Sequence, residues 1–250
     1  MPDTRTTLLE VCIETLPEAI EAVDAGADRL EVCSSMVESG TTPSIGLVSA
    51  IIERLDVPAF IMIRPRGGDF VFDDAELEVM QRDIEAMKRA GAHGIVSGVL
   101  EPSGSVNCEV TKVLVDAADP LPFTFHRAFD LAPELEFALD ELKSIGVRRV
   151  LTSGGASSAI VGADAIARLQ RNAGNAMTML AGGGVRAAHA AELVRISGVC
   201  EVHARPTRRR AMLSRTPRDI RFGSNVPVQE RSELDPDAVR ALSRALASID

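Results

Sequence analysis

Eight strand-like stretches alternate with eight helix-like stretches from one end of this chain to the other, and few folds accommodate that order. The strand-like stretches are 8–13, 29–34, 59–64, 94–99, 122–127, 149–153, 177–181 and 199–204. Between and after them, residues 16–25, 44–55, 73–90, 108–118, 132–145, 162–173, 186–197 and 236–249 carry apolar side chains at spacings of three and four, as a helix requires. Gly26, Gly91, Gly146, Gly174 and Gly198 follow helix-like stretches at the place where a helix ends in a left-handed turn. Eight of each in 250 residues predicts an α/β chain folded as a (β/α)8 TIM barrel, a single domain spanning 1–250. An open, doubly wound sheet is the other architecture with this order. It covers both sheet faces with helices and so calls for strands that are apolar throughout.

Five of the strands are not apolar throughout. Leu9-Glu10-Val11-Cys12-Ile13, Leu30-Glu31-Val32-Cys33, Ile61-Met62-Ile63-Arg64, Phe123-Thr124-Phe125-His126 and Cys200-Glu201-Val202-His203-Ala204-Arg205 alternate between two faces. Successive strand side chains point to opposite sides, so one face is apolar and packs on helices. The other carries Glu10, Cys12, Glu31, Cys33, Arg64, His126, Glu201, His203 and Arg205. Ionisable groups on the inner face of a barrel are costly unless they meet one another or a ligand. Residues 206–232 are polar, contain Pro and Arg, and lack a period; they read as a long loop after the eighth strand that folds near the barrel mouth.

Charge and composition narrow the partners. The net charge of -9 and the lack of Trp and Tyr argue against nucleic acid, which needs a basic surface and stacking rings. Arg208-Arg209-Arg210 is the single basic run, a solvated loop or an anion contact. No apolar run reaches the roughly 20 residues of a membrane span, and the polar stretch Met1–Thr7 has no apolar core of an export signal. Cys12, Cys33, Cys108 and Cys200 are too dispersed for a disulfide scaffold, so reduced thiols in the cytoplasm are expected. No nucleotide cofactor is expected, because no dinucleotide fingerprint is present.

The inward residues suggest specific chemistry. Glu10, Glu31 and Glu201 fall on strands that are neighbours in a closed barrel, where crowding raises a carboxyl pKa unless a cation intervenes; Arg64, Arg66 and Arg205 are the expected cations. His126 and His203 suit proton transfer or metal ligation near neutral pH. Together Glu10, Glu31, His126 and His203 are the candidate catalytic groups. Arg64-Pro65-Arg66-Gly67-Gly68-Asp69 sets two guanidinium groups before a turn, an arrangement able to hold a carboxylate or phosphate. Arg127, Asp130, Ser153, Arg205 and the glycines Gly183 and Gly184 complete the candidate anion-binding set, since barrels often hold phosphate after strands seven and eight. Cys12 and Cys33 occupy the same position in adjacent Glu-x-Cys strands, so their sulfurs can approach. Soft thiolates favour copper(I) or zinc, although a free Cys also simply fills space.

Several motifs together resemble the CutC family: Leu8-Leu9-Glu10-Val11-Cys12, Gly26-Ala27-Asp28-Arg29-Leu30-Glu31-Val32-Cys33, Ile63-Arg64-Pro65-Arg66-Gly67-Gly68-Asp69-Phe70, Phe125-His126-Arg127-Ala128-Phe129-Asp130 and Glu201-Val202-His203. The resemblance implies a (β/α)8 barrel, a cytoplasmic protein of copper homeostasis, a tendency to form homodimers or larger homo-oligomers, and copper(I) ligands that fall on Cys12 and Cys33. After His203 the chain departs from the common pattern with Ala204-Arg205-Pro206-Thr207-Arg208. Two functions follow. One is copper(I) binding through the cysteine pair. The other is an enzyme of lyase, isomerase or hydrolase type acting on a small anionic or phosphorylated metabolite, with an arginine clamp and Glu/His acid–base chemistry. Lys88, Lys112 and Lys143 all fall on helices, which argues against a Schiff-base mechanism.

Overall fold

A computed structural model describes residues 7–211 and 230–249. Strands β1 (Leu8–Ile13), β2 (Arg29–Val32), β3 (Ala59–Met62), β4 (Gly94–Ser97), β5 (Phe123–Phe125), β6 (Arg149–Thr152), β7 (Thr178–Gly182) and β8 (Glu201–Ala204) pair in parallel and in chain order. β1 pairs with β8, which closes the barrel. The helices are α1 (Leu16–Asp24), α2 (Ile45–Ile52), α3 (Asp74–Arg89), α4 (Cys108–Ala118), α5 (Leu135–Ser144), α6 (Ala163–Ala173), α7 (Ala187–Ser197) and α8 (Pro236–Ala247). All eight strand-like and all eight helix-like stretches are found.

Local chemistry sets the helix limits. Thr15 caps α1 by accepting from the Glu18 N–H, with Pro17 in the first turn where it costs no hydrogen bond. Asp73 and Glu76 form a reciprocal capping box at α3. α5 starts three residues later than the periodicity predicts, because Arg127–Leu131 winds into a short 3-10 turn and Pro133 interrupts the approach.

The outward strand residues and the inner helix faces form one continuous apolar shell. Leu9, Ile13, Leu30, Ile61, Ile63, Ile95 and Phe125 are fully buried in it. Each such side chain contributes roughly 1.5–3 kcal/mol on transfer from water. Inside the barrel a second, smaller apolar cluster of Cys12, Cys33, Phe60, Met62 and Val96 fills the β1–β4 side.

The segment expected to be a loop over 206–232 is partly a strand pair. β9 (Thr207–Ala211) runs antiparallel to β10 (Glu230–Leu234), placing Glu233 opposite Arg208 and Arg231 opposite Arg210. Glu233 binds Arg208, Arg210 and Arg231, so two arginines of the basic run share a carboxylate within the ribbon. Such a ribbon shows no apolar period because charge pairing replaces a buried face. The fold of this segment over the mouth concerns residues 212–229, outside the described residues. The buried Glu18 on α1 accepts from the Leu234 N–H and anchors the ribbon to the barrel.

Candidate functional site

Strand register builds the acid side of the barrel interior. Glu10 lies opposite His203 across the β1–β8 seam and opposite Arg29 on β2, while Cys12 lies opposite Glu31. Arg29 pairs with Glu10 and also reaches Glu201 at 2.5 Å. Arg149 on β6 binds the same Glu201 through two bonds of 2.7 and 3.0 Å. Phe60 stacks against both guanidinium groups, whose central carbons lie 4.8 and 5.2 Å from its ring centre. The interior cations for Glu10 and Glu201 are therefore Arg29 and Arg149. They are not the expected Arg64, Arg66 and Arg205. Arg205 instead binds Glu14 at 2.6 Å and the Cys12 carbonyl at 3.1 Å.

This network shifts the carboxyl groups in opposite directions. Burial alone would raise the Glu10 pKa, but Arg29 and a 2.8 Å hydrogen bond to His203 Nδ1 bring it down to about 2. Burial and the Glu10 charge leave the Glu31 carboxyl above its usual range, although His203 opposes them. Burial would lower His203, yet Glu31 and Glu10 raise it above the ordinary imidazole value. His203 Nε2 lies 3.9 Å from Glu31 Oε2. With Nδ1 fixed on Glu10, Nε2 is the ring atom left to exchange a proton.

His126 faces the same cavity from the end of β5 in a different setting. Its Nδ1 accepts from the Ala128 N–H at 3.3 Å, and its ring packs edge-on against Phe70 at 4.8 Å. Burial and the Arg64 charge push its pKa down to about 3, so it is neutral and its proton sits on Nε2. Gly98 makes room for it, because a Cβ there would lie 2.7 Å from the imidazole.

The arginine motif resolves differently from the expected clamp. Arg64 is buried and gives its terminal nitrogens to the carbonyls of Glu38, Gly40 and Gly68, while its guanidinium lies over Phe70. Arg66 binds Glu76 at 2.5 Å and Asp69 at 3.0 Å on the outside of the turn. Arg66 and Asp69 thus do not contribute to the cavity lining, whereas Arg64 does. The chain bends over residues 65–68, so the two arginines find different partners, which residue spacing alone does not reveal.

At the other rim, Asp130 accepts from Thr152 Oγ, Ser153 N–H, Ser153 Oγ and Gly155 N–H, and so staples the 3-10 turn to the end of β6. It also receives Arg127 Nε at 2.8 Å, and Arg127 donates to Ser153 Oγ at 2.8 Å. Asp130 and Ser153 therefore orient Arg127. The cavity they enclose has a volume of about 480 Å³ and is lined by Glu31, Arg64, His126, Arg127, Gly183, Gly184, His203 and Arg205, among others.

Cys12 and Cys33 meet beneath this cavity. Their sulfurs lie 3.6 Å apart, both side chains are buried, and Met36 Sδ lies 3.6 Å from Cys12 Sγ. Glu31 Oε2 is 3.4 Å from Cys33 Sγ. The Cys12–Cys33 hydrogen bond lowers the Cys12 pKa, but burial and the Glu31 charge outweigh it and leave the thiol above its ordinary value. For Cys33 that bond, burial and Glu31 all act upward. Two groups of possible metal ligands converge on Glu31: Cys12, Glu31 and Cys33, and Glu10, Glu31 and His203.

Several of these residues escape a reading of the sequence. Arg29 shares the face of Glu31 two residues away, so the same parity places it inward. Arg149 has the corresponding place before Leu151. Met36 lies in a connection with no period and Arg186 at the very start of a helix-like stretch, and only the fold brings them in.

The comparisons with known proteins agree with this architecture. The CutC family profile matches residues 7–207. A copper homeostasis protein cutC homolog of Homo sapiens is 39% identical over 97% of this chain and 90% of its own length. A CutC family protein of Chromobacterium violaceum is 40% identical over 96% of this chain and 98% of its own. The crystal structure of a CutC protein from Streptococcus agalactiae superposes with a TM-score of 0.76 at 31% identity, covering 79% of this chain and 97% of that one. By sequence and by fold, the chain belongs to the CutC family.

Proposed function

We propose that this protein serves copper homeostasis by taking copper(I) as cargo on the sulfurs of Cys12 and Cys33. The observation that carries this reading is the contact of Cys12 with two further sulfurs, those of Cys33 and Met36, at 3.6 Å each. Copper(I) is soft and is satisfied by two or three sulfur ligands, whereas a closed zinc site wants four ligands. Both thiols stand above their ordinary pKa, so copper(I) displaces protons as it binds and is held more tightly as pH rises. Glu31, 3.4 Å from Cys33, is placed to receive one of them. The family relationship and the name of the human relative support the same role. Cytoplasmic residence and self-association belong to this reading. The four cysteines are free thiols, and no described helix is long and apolar enough to cross a membrane.

Anaerobic competition against a chromogenic copper(I) chelator tests it. Cys12→Ser/Cys33→Ser is expected to bind copper(I) at least about 100-fold more weakly than the natural chain, and Met36→Leu roughly tenfold more weakly. Equal affinity of the double variant and the natural chain overturns the proposal.

A further inference from the structure

Three side chains that line the cavity hold polar atoms with no partner among the described residues. Glu31 Oε1, Arg64 Nε and His126 Nε2 are buried and make no hydrogen bond, and their residues are 3%, 3% and 4% exposed. An unpaired buried donor or acceptor is costly, because it has given up water and gained no partner. All three belong to residues that line one cavity. Their chemistry is mixed. Glu31 offers an acceptor or, when protonated, a donor. Arg64 offers a donor. His126 offers an N–H, because Nδ1 is taken by the Ala128 amide. That set fits a hydroxyl or carbonyl group.

The opposite rim is cationic. Arg127 and Arg186 both line the cavity, next to Gly183 and Gly184. Arg127 spends Nε on Asp130 and one terminal nitrogen on Ser153, and both partners fix its direction. Its other terminal nitrogen lies over Gly183, where a Cβ would come within 3.3 Å of it. Gly183 has a φ of 108°, and so serves two ends: it turns the chain after β7 and lets the guanidinium lie on the backbone. The exposed Arg186 precedes the first turn of α7, which no side chain caps. Two guanidinium groups and an open helix start suit a dianion.

We propose that the cavity is a binding site for a small phosphate monoester, with its phosphate between Arg127 and Arg186 and its hydroxyl or carbonyl end against His126 and Glu31. Cys12 and Cys33 do not line the cavity, whereas Glu31 and Met36 border both it and the sulfur cluster. A volume of about 480 Å³ falls within the range of small-molecule pockets. The Glu10–His203 pair borders the bound ester, with His203 Nε2 turned from Glu10 toward Glu31.

Calorimetric titration of metal-free protein, prepared with a copper(I) chelator, separates this proposal from the copper reading. The probes are glycerol 3-phosphate, dihydroxyacetone phosphate, inorganic phosphate and glycerol. The natural chain is expected to bind at least one ester about tenfold or more tightly than inorganic phosphate or glycerol. Arg186→Glu, an exposed change that the fold tolerates, is expected to weaken that ester at least about tenfold, and Arg127→Ala about as much. His126→Phe is expected to bring the ester down to the level of inorganic phosphate. Far-UV circular dichroism verifies that each variant is folded. No ester binding by the natural chain overturns the proposal, as does equal binding by a folded Arg186→Glu. Inorganic phosphate bound as tightly as the esters overturns it too, since the cavity floor then contributes nothing. Loss of copper binding in the separate competition experiment leaves each of these outcomes unchanged.

Discussion

His203 and His126 line one cavity, and their surroundings push their pKa values in opposite directions. His203 sits on the acid wall between Glu10 and Glu31 and is raised above its ordinary pKa. His126 sits among Arg64, Phe70 and the end of β5 and is pushed down to about 3. His126 is buried and His203 nearly so, with 12% of its side chain exposed, so burial does not account for the contrast. Their neighbours do: two carboxylates reward a proton on one ring, and a guanidinium penalises it on the other. An imidazole inside a barrel therefore acquires its role from the residues that strand register sets beside it. The acid wall carries counterions for Glu10 and Glu201 but leaves Glu31 Oε1 without a partner among the described residues, as the His126 wall leaves Arg64 Nε and His126 Nε2.

The contrast breaks most readily at Arg29. Arg29→Ala leaves Glu10 and Glu201 buried without the cation they share, and urea unfolding is expected to show a loss of about 3–5 kcal/mol. A loss below about 1 kcal/mol would mean that the acid wall does not depend on its cation. Acid titration of stability reads the other wall, with an effect of similar size. His126 is neutral in the fold down to about 3, whereas the unfolded chain binds its proton below about 6.5. The unfolded state then holds more protons, so stability falls as pH falls between these values, by about 5 kcal/mol. His126→Phe is expected to lack this loss; an unchanged acid profile would assign it to other groups. His203 has the opposite sign. Its contribution is complete below about 6.5 and is lost as pH rises through its raised pKa. The smallest effect is the sharpest probe. Glu10→Gln removes one of the two carboxylates at His203, and NMR titration is expected to show its pKa fall by about one pH unit. No change would leave Glu31 as its sole determinant.

Much of the candidate site is legible because a strand alternates. Glu10, Cys12, Glu31, Cys33, His126 and His203 are recognisable as inward from parity alone, and the structure brings them into one barrel interior. Arg29 was equally legible by that rule. Arg66 was not, since the chain bends over residues 65–68 and its side chain finds Glu76 on α3. The ribbon of β9 and β10 has no signal of this kind, because its strands pair through charge.

The alternation of strand and helix, the glycine stops and the two-residue period were enough to specify a closed barrel with a polar interior. Partnership was left to the tertiary structure. Arg29 reaches Glu201 across 172 positions of chain, and His203 reaches Glu10 across 193. A period of two states which face a side chain occupies and nothing about which strand stands beside it. Only closure of β1 on β8 turns a row of inward acids, thiols and imidazoles into a network with assigned charges.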